Sequence, residues 1–444
     1  METRKSENGD NKLLRDWRTA FPFSGFYYPL SSFRINAALK PVAAWLLTTV
    51  LAAETVFMAL QVRLDFPFLA SALLGVVVVQ IRTCRRFELL ATVPLAAGLA
   101  LMRFGLHLRL LRESAAHLGL FLGLASLFFM GVAVLRSRPV ELPERIGAFA
   151  VAMAAPVFVI ITAAVLSGTG HAHPVTLDRV LYAFDGSLGF QPSFLLGRLL
   201  ARLAWLGALA KVSYEQVPVA VLILYTSRMG APEHTRPNVL WVIGAASLVG
   251  YLLYALLPAA GPLYLFPSRF PNSAPPLAGL ALLPLALSAD IPRNAIPSLH
   301  MAWAVLLWWN ARRSALWLRA GYGLYPALTV LFTLGSGEHY LIDLVVALPF
   351  ALAVQAAFSV PIRELPRSLP FWAGTLATLA WLGFLRFAAP VWLGSIVLDW
   401  SLVAVTVVGS VTLERQASRR FHAPEKERRA VRSNEELEAA SARL

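Results

Sequence analysis

Apolar runs separated by short polar breaks recur along most of the chain, at roughly 41–61, 66–82, 87–102, 116–135, 147–167, 203–226, 238–257, 296–310, 315–335, 339–358, 368–386 and 390–412. A helix rises 1.5 Å per residue and a bilayer core is about 30 Å thick, so runs of this kind predict transmembrane helices. The expected fold is all-α, a polytopic membrane helical bundle of about 12 spans.

Two stretches break the rhythm. Residues 168–174 carry His171 and His173, and residues 176–202 interleave charges with Leu, Phe and Tyr in the manner of an interfacial amphipathic helix. Residues 257–290 are Pro-rich and only partly apolar, which predicts a re-entrant or interfacial cover over a site, since irregular backbone at membrane depth needs protein or a wet cavity beside it. The resulting organisation has five parts. Residues 1–40 form a cytoplasmic tail with an aromatic stretch at 21–28, and 41–167 form a five-span bundle without an assigned role. Residues 168–360 form the core expected to carry the chemistry, 361–412 two further spans, and 413–444 a charged cytoplasmic tail. Residues 1–40 lack the apolar core and small-residue cleavage site of a signal peptide. No internal repeat stands out.

Composition supports the membrane assignment: 57% of the residues are hydrophobic, 14% are charged, and the mean hydropathy is +0.63. The net charge of +14 does not indicate nucleic-acid binding, because the cations lie in short loops and at the two ends rather than on one face. Twenty-eight of the 39 Lys and Arg residues fall in the two tails and in alternate loops, which predicts that both termini are cytoplasmic. Arg103, Arg109 and Arg112 fall on the opposite side by the same count. The single cysteine, Cys84, excludes an intramolecular disulfide and any multi-cysteine metal site within the chain.

The polar residues hardest to explain lie between Pro292 and Asp343. The parity of spans places the starts of the runs at 296 and 339 at one level, near the non-cytoplasmic face, and so brings His300, His339 and Asp343 to that level. His339 and Asp343 are four residues apart, so on a helix the carboxylate can hold one imidazole nitrogen and leave the other free as nucleophile or base. His300, from another helix, is placed to protonate a leaving oxygen. Pro297 suits a first helical turn and Ser298 an N-cap, and Arg293 with the unpaired amides there would offer donors to a phosphate. Phosphoryl transfer needs such a set. Interfacial packing, a structural His–Asp hydrogen bond, a transport pathway lined by polar residues and a metal site of two His and one Asp are the competing readings of the same residues.

These motifs resemble the second and third signatures of the type 2 phosphatidic acid phosphatase superfamily. Pro297-Ser298-Leu299-His300 is similar to its Pro-Ser-x-His, and His339-x-x-x-Asp343 to the end of its third motif. His339-Tyr340-Leu341-Ile342-Asp343, with the Tyr/Pro-rich segment from Tyr251 to Pro262, is more similar still to the branch containing inositol phosphorylceramide synthase (the aureobasidin-A target) and sphingomyelin synthases. The resemblance covers roughly residues 175–360. It implies a six-helix catalytic core, a phosphohistidine on His339 oriented by Asp343, His300 as general acid and no metal or other cofactor. It also implies a membrane lipid donor with an alcohol or lipid acceptor, and substrate contacts from Tyr254 and Tyr340.

The chain departs from the phosphatase pattern at Phe332 and Thr333, which stand where the third motif carries Ser-Arg. Arg236-Pro237 lacks the lysine that the first motif requires. These losses of phosphate-binding cations favour the transferase branch, with Arg293 as a substitute and water as the acceptor of the phosphatase alternative. Asp178 and Asp185 are further candidates for binding a polyol head group. His171 and His173 are candidates for acceptor binding, and Tyr214, Glu215 and Gln216, with Lys211 one turn away, for a buried network.

Overall fold

A computed structural model describes residues 48–56, 66–104, 114–229, 237–359, 364–365, 368–388 and 395–421. The expected N-terminal tail with its aromatic stretch and most of the expected C-terminal tail lie outside these residues, as do parts of the first and last predicted spans. The chain divides into two compact units, Met1–Leu51 and Ala52–Leu444, and every element named below belongs to the second.

Helices form nearly wherever apolar runs predict them. In chain order they are α1 (Pro67–Thr83), α2 (Arg86–Phe104), α3 (Ser114–Leu135) and α4 (Leu142–Ala172). These are followed by α5 (Asp178–Ser187), α6 (Pro192–Arg202), α7 (Ala204–Glu215), α8 (Val217–Thr226), α9 (Val239–Tyr254) and the single turn α10 (Pro262–Leu265). The series ends with α11 (Leu299–Ala311), α12 (Leu316–Gly335), α13 (Leu341–Ser359), α14 (Leu369–Gly383), which continues into a π turn at Phe384–Ala388, and α15 (Ile396–Phe421). The only sheet among the described residues pairs β1 (Val175–Thr176) with β2 (Leu285–Ala286), antiparallel, with Val175 opposite Ala286 and Thr176 opposite Leu285.

Among the described residues, four helical stretches are long and apolar enough to cross a membrane: Leu142–Ala172, Leu341–Ser359, Leu369–Ala388 and Ile396–Arg419. The pair α6 and α7, bent by 115° at Leu203, makes a fifth if counted as one broken span. This identifies an integral membrane protein, and by these criteria the described residues supply four to five of the twelve spans expected. Predicted runs fall short of these criteria for a physical reason in two places. The run at 203–226 is not one helix: Pro218 cannot donate to the Tyr214 carbonyl and its ring crowds that position, so the helix stops at Glu215 and restarts at Val217. Other predicted spans, such as α9 and α11 with 16 and 13 residues, form apolar helices that are short for a full crossing.

The long helices differ in what surrounds them. In α13, 78% of the apolar window is buried, against 17% in α4 and α15, so α13 is surrounded by protein and the other two present apolar side chains outward. α13 packs against α9, α11, α14 and α15, and its buried side chains join two cores. α1 to α4 share a third core, into which Leu222 of α8 also packs. In that third core α1 and α3 approach closely because position 123 is glycine. A Cβ there would lie 2.3 Å from the Leu73 carbonyl oxygen.

The segment between α9 and α11 is the predicted cover. It is anchored by the β1–β2 pair, by Leu177 N–H donating to Pro258 O at 2.9 Å, and by Ala295 N–H donating to Ala259 O at 3.0 Å.

Candidate active site

Two helix starts define the site. Ser298 is the N-cap of α11: its hydroxyl accepts from Met301 N–H at 3.4 Å, while its own N–H donates to the carbonyl of Asp343 at 3.1 Å. Pro297 stands just before the cap rather than in the first turn. α13 begins two residues after His339, and its first amides, Leu341 N–H and Ile342 N–H, donate to the carboxylate of Asp185 at 2.7 and 3.2 Å. A carboxylate placed there meets both the orphan amides and the positive end of the helix dipole. Ser193 Oγ donates to the His339 carbonyl at 2.8 Å. The backbone around His339 is thus held from α6 and α5 together.

His339 Nδ1 lies 3.3 Å from Asp343 Oδ2, with both residues buried. A carboxylate only accepts, so in this pair Nδ1 carries the proton and Nε2 presents its lone pair. Nε2 is 3.4 Å from Ser298 Oγ, which is then the donor. Asp343 Oδ2 also accepts from Tyr340 N–H at 2.8 Å, which fixes the carboxylate's rotation.

His300, on the first turn of α11, lies within electrostatic reach of His339. Its Nε2 is buried and has no hydrogen-bond partner among the described residues. The ring is clamped by aromatics: Tyr214 stacks on it at 3.8 Å between centroids, Trp303 meets it at 5.0 Å and Phe68 at 5.5 Å. Phe68 belongs to α1, so the N-terminal helices reach the site.

The Tyr214 hydroxyl donates to Glu338 Oε2 at 3.2 Å, so a tyrosine stacked on one imidazole is bonded to the residue preceding the other. Neither Glu338 nor Phe68 stands out in the sequence. Glu338 had a signal in its adjacency to His339, whereas nothing marks Phe68 among so many aromatic residues.

The remaining candidates are placed as follows. Tyr340 donates from its hydroxyl to Asp178 Oδ1 at 2.9 Å, and the Asp178 carboxylate also accepts from Ala260 N–H at 3.1 Å and Gly261 N–H at 2.7 Å. Asp178 and Asp185 are fully buried, their oxygens occupied by these protein donors. Burial pushes the Asp185 carboxyl up to about 8, against the pull of the two amides, and pushes Asp178 in the same direction. Tyr254 is buried near Asp343 and the start of α11.

Arg293 is fully buried and donates to the carbonyls of His173, Ile291, Leu287 and Ser288 at 2.5–3.1 Å. Four of its five N–H donors are engaged in tying the cover segment to the end of α4, and none of these four bonds goes to the His339 pair. His173 serves this clamp through its backbone. Glu215 pairs with Lys211 at 3.7 Å, the helical pairing expected for them.

Gly261 closes the site from the cover. It holds φ +121°, and a Cβ there would stand 2.5 Å from the Glu338 carbonyl oxygen. Leu263 N–H donates to Gly337 O at 2.9 Å, so the Tyr/Pro-rich segment lies directly on the residues that precede His339. Among the described residues no group of three or more His, Cys, Asp or Glu side chains is arranged to hold a metal ion.

The comparison that bears on this geometry is with protein families. Residues 179–357 match the model of the PAP2 superfamily. The match begins in the first turn of α5 and ends in the last turn of α13, so it contains Ser298, His300, His339, Asp343, Asp185 and Tyr214. It suggests phosphatase or phosphotransferase activity on lipid phosphates, and favours no narrower branch, including the one containing inositol phosphorylceramide synthase. No curated protein and no solved structure matches the chain.

Proposed function

We propose that the protein is a membrane phosphotransferase that takes a phosphorylated head group from a lipid donor and passes it, through a phosphohistidine on His339, to an acceptor alcohol. Its site would face the extracytoplasmic side, with both termini cytoplasmic, as the loop charges indicate. One observation carries the reading: Asp343, His339 and Ser298 form a line that leaves His339 Nε2 as the basic nitrogen, with His300, whose Nε2 has no partner among the described residues, within electrostatic reach of His339.

In the first step Nε2 of His339 attacks phosphorus, the bond from phosphorus to the leaving oxygen breaks, and protonated His300 gives its proton to that oxygen. Asp343 stabilises the imidazolium character that grows on His339. In the second step the acceptor hydroxyl attacks the phosphohistidine, His300 takes its proton, and His339 is released. Ser298, with the amides at the start of α11, is the donor set for the phosphoryl oxygens. Asp178, Asp185 and Tyr340 position the start of α13.

An alcohol acceptor fits the charge around the site better than water alone. Arg293 has one uncommitted N–H at most, and Glu338 puts a carboxylate one residue from His339, so the site is poor in the cations that a free phosphate dianion would need. The hydrolytic reading, a lipid or polyprenyl phosphate phosphatase, shares the first step and differs only in the second.

Purified protein incubated with phosphorus-labelled phospholipid, with and without polyol or lipid alcohols, tests both steps. Acid-labile label on His339 and acceptor-dependent phosphorylated product are expected. Release of inorganic phosphate alone, whatever alcohol is added, removes the transferase reading. Absence of label on His339 during turnover removes the covalent mechanism.

A further inference from the structure

α11 and α13 carry the site at their starts, and at their far ends they enclose a second polar cavity of about 290 Å³. With 19 residues, α13 sets the two about 28 Å apart along its axis. The cavity is closed by the end of α8 and the last turns of α15, and five arginines line it: Arg228, Arg312, Arg313, Arg415 and Arg419. One carboxylate, Glu414, is among the lining residues.

The inner wall is built, not a chance grouping of surface cations. Glu414 is buried and pairs with Arg312 Nη1, and the Arg312 guanidinium lies 5.1 Å over the Trp308 ring. Arg228 donates to both the side-chain and backbone oxygens of Asn310. Asn310 Nδ2 donates in turn to Gln355 Oε1 at 2.7 Å, and Gln355 Nε2 to Ser359 Oγ at 3.1 Å. This network orients the wall. Two buried donors on it have no partner among the described residues: Arg312 Nη2 and the indole Nε1 of Trp309, a residue only 4% exposed. Native structures seldom leave a buried N–H unpaired, so two on the wall of one basic cavity indicate acceptor oxygens that complete them.

We propose that this cavity binds a phosphate group, and that it draws that group from an anionic lipid head group in the leaflet opposite the one the histidines face. Arginine forks match phosphate oxygens bidentately, and the Trp309 N–H adds a neutral donor from below. Arg313, Arg415 and Arg419 are exposed at the rim, where they supply the field that concentrates anionic lipid, while Arg312 and Trp309 meet the head group inside. Basic residues that mark only the orientation of the spans would need neither the cavity nor the buried donors.

The test uses the full chain carrying His339→Ala, so that turnover is absent, purified in an uncharged detergent. It is titrated calorimetrically with dioctanoyl phosphatidic acid, dioctanoyl phosphatidylcholine and inorganic phosphate. Phosphatidic acid is expected to bind at least about tenfold more tightly than phosphatidylcholine. Arg313→Gln/Arg415→Gln/Arg419→Gln, confined to exposed positions, is expected to weaken it about tenfold. Trp309→Phe, which removes the N–H and keeps the ring's apolar bulk, is expected to weaken it about threefold. The control triple Arg86→Gln/Arg136→Gln/Arg138→Gln, on exposed arginines of the N-terminal helices, is expected to leave it unchanged.

If inorganic phosphate binds as tightly as the lipid and is lost in the same variants, the phosphate site stands and its source is the free anion. Equal binding of the two lipids, equal binding by the rim triple and its parent, or equal weakening by the control triple overturns the proposal. Far-ultraviolet circular dichroism confirms that each variant retains its helices, and the Trp309→Phe titration gives the answer should the rim triple fail to fold.

Discussion

The two ends of α11 and α13 satisfy buried charge in opposite ways. At their starts the ionisable groups are imidazoles and carboxylates, and backbone amides hold the carboxylates: Leu341 and Ile342 on Asp185, Tyr340 on Asp343, Ala260 and Gly261 on Asp178. At the far ends the groups are guanidiniums: Glu414 meets Arg312 with its side chain, and Asn310 meets Arg228 with its side chain as well as its backbone carbonyl. Amides belong to rigid elements and fix an oxygen in place, whereas long side chains give way as a ligand enters. One end is therefore suited to chemistry that needs a fixed geometry, the other to capture.

The sharpest way to break this contrast is to remove a reacting atom at the fixed end. His339→Ala is expected to lower lipid turnover about 10⁴-fold or more, with little change in melting temperature, and thin-layer or mass-spectrometric product analysis measures it. Turnover within tenfold of the parent would make the imidazole pair a structural feature. Next in size is Gly261→Ala, which places a methyl group against the Glu338 carbonyl and forces an unfavourable φ. A loss of about 2–4 kcal/mol in stability is expected, together with a fall in activity, because the cover lifts from the residue before His339. Retention of the parent melting temperature would mean that the cover is free to shift.

At the capture end, Arg312→Met leaves Glu414 buried without its partner and is expected to cost about 2–3 kcal/mol. Arg312→Met/Glu414→Leu should recover most of that loss, since a packed apolar pair is often as stable as an ion pair. If the double variant is as unstable as the single one, the network through Asn310 and Gln355 depends on the charges themselves. Ser298→Ala is a smaller change at the fixed end: about tenfold in turnover, split between the lost cap and the lost contact to His339 Nε2.

How much of this arrangement is legible in the sequence depends on whether a residue's environment is set by its own helix or by another element. The spacing of His339 and Asp343 and the place of Ser298 before an apolar run are local, and both reappear as a 3.3 Å contact and an N-cap. The positions of Asp178 and Asp185 are not. They stand seven residues apart, on the same face as Leu181 and Tyr182, and an isolated reading of α5 turns that face toward a head group. In the fold the start of α13 and the cover segment lie against it, and the carboxylates meet amides that no sequence pattern points to. Arg293 follows the same logic: its carbonyl partners belong to a segment whose return path is fixed by the β1–β2 pair. The helices themselves are legible almost throughout, but which of them cross a bilayer depends on length and breaks, as at Pro218.

The amide-held carboxylates give the contrast a pH signature. Asp185 lies on α5, outside the spans, and burial pushes its carboxyl up to about 8, against the two amides that pull it down. In the unfolded chain the same group titrates near 4, so between those values the unfolded state has lost a proton that the folded state keeps. Stability contributed by this group is therefore full below about pH 4 and falls as pH rises toward 8. Asp185→Asn removes the titration, and its amide nitrogen leaves one of the two α13 amides without an acceptor, at a cost of about 1 kcal/mol at low pH. The melting temperature of the parent is expected to fall between pH 5 and 8.5, while that of Asp185→Asn changes less, so that the gap between them narrows as pH rises. A gap that stays constant from pH 5 to 8.5 would mean that the amides at the start of α13 hold Asp185 as a carboxylate throughout, and that the fixed end is built on full charges, as the capture end is.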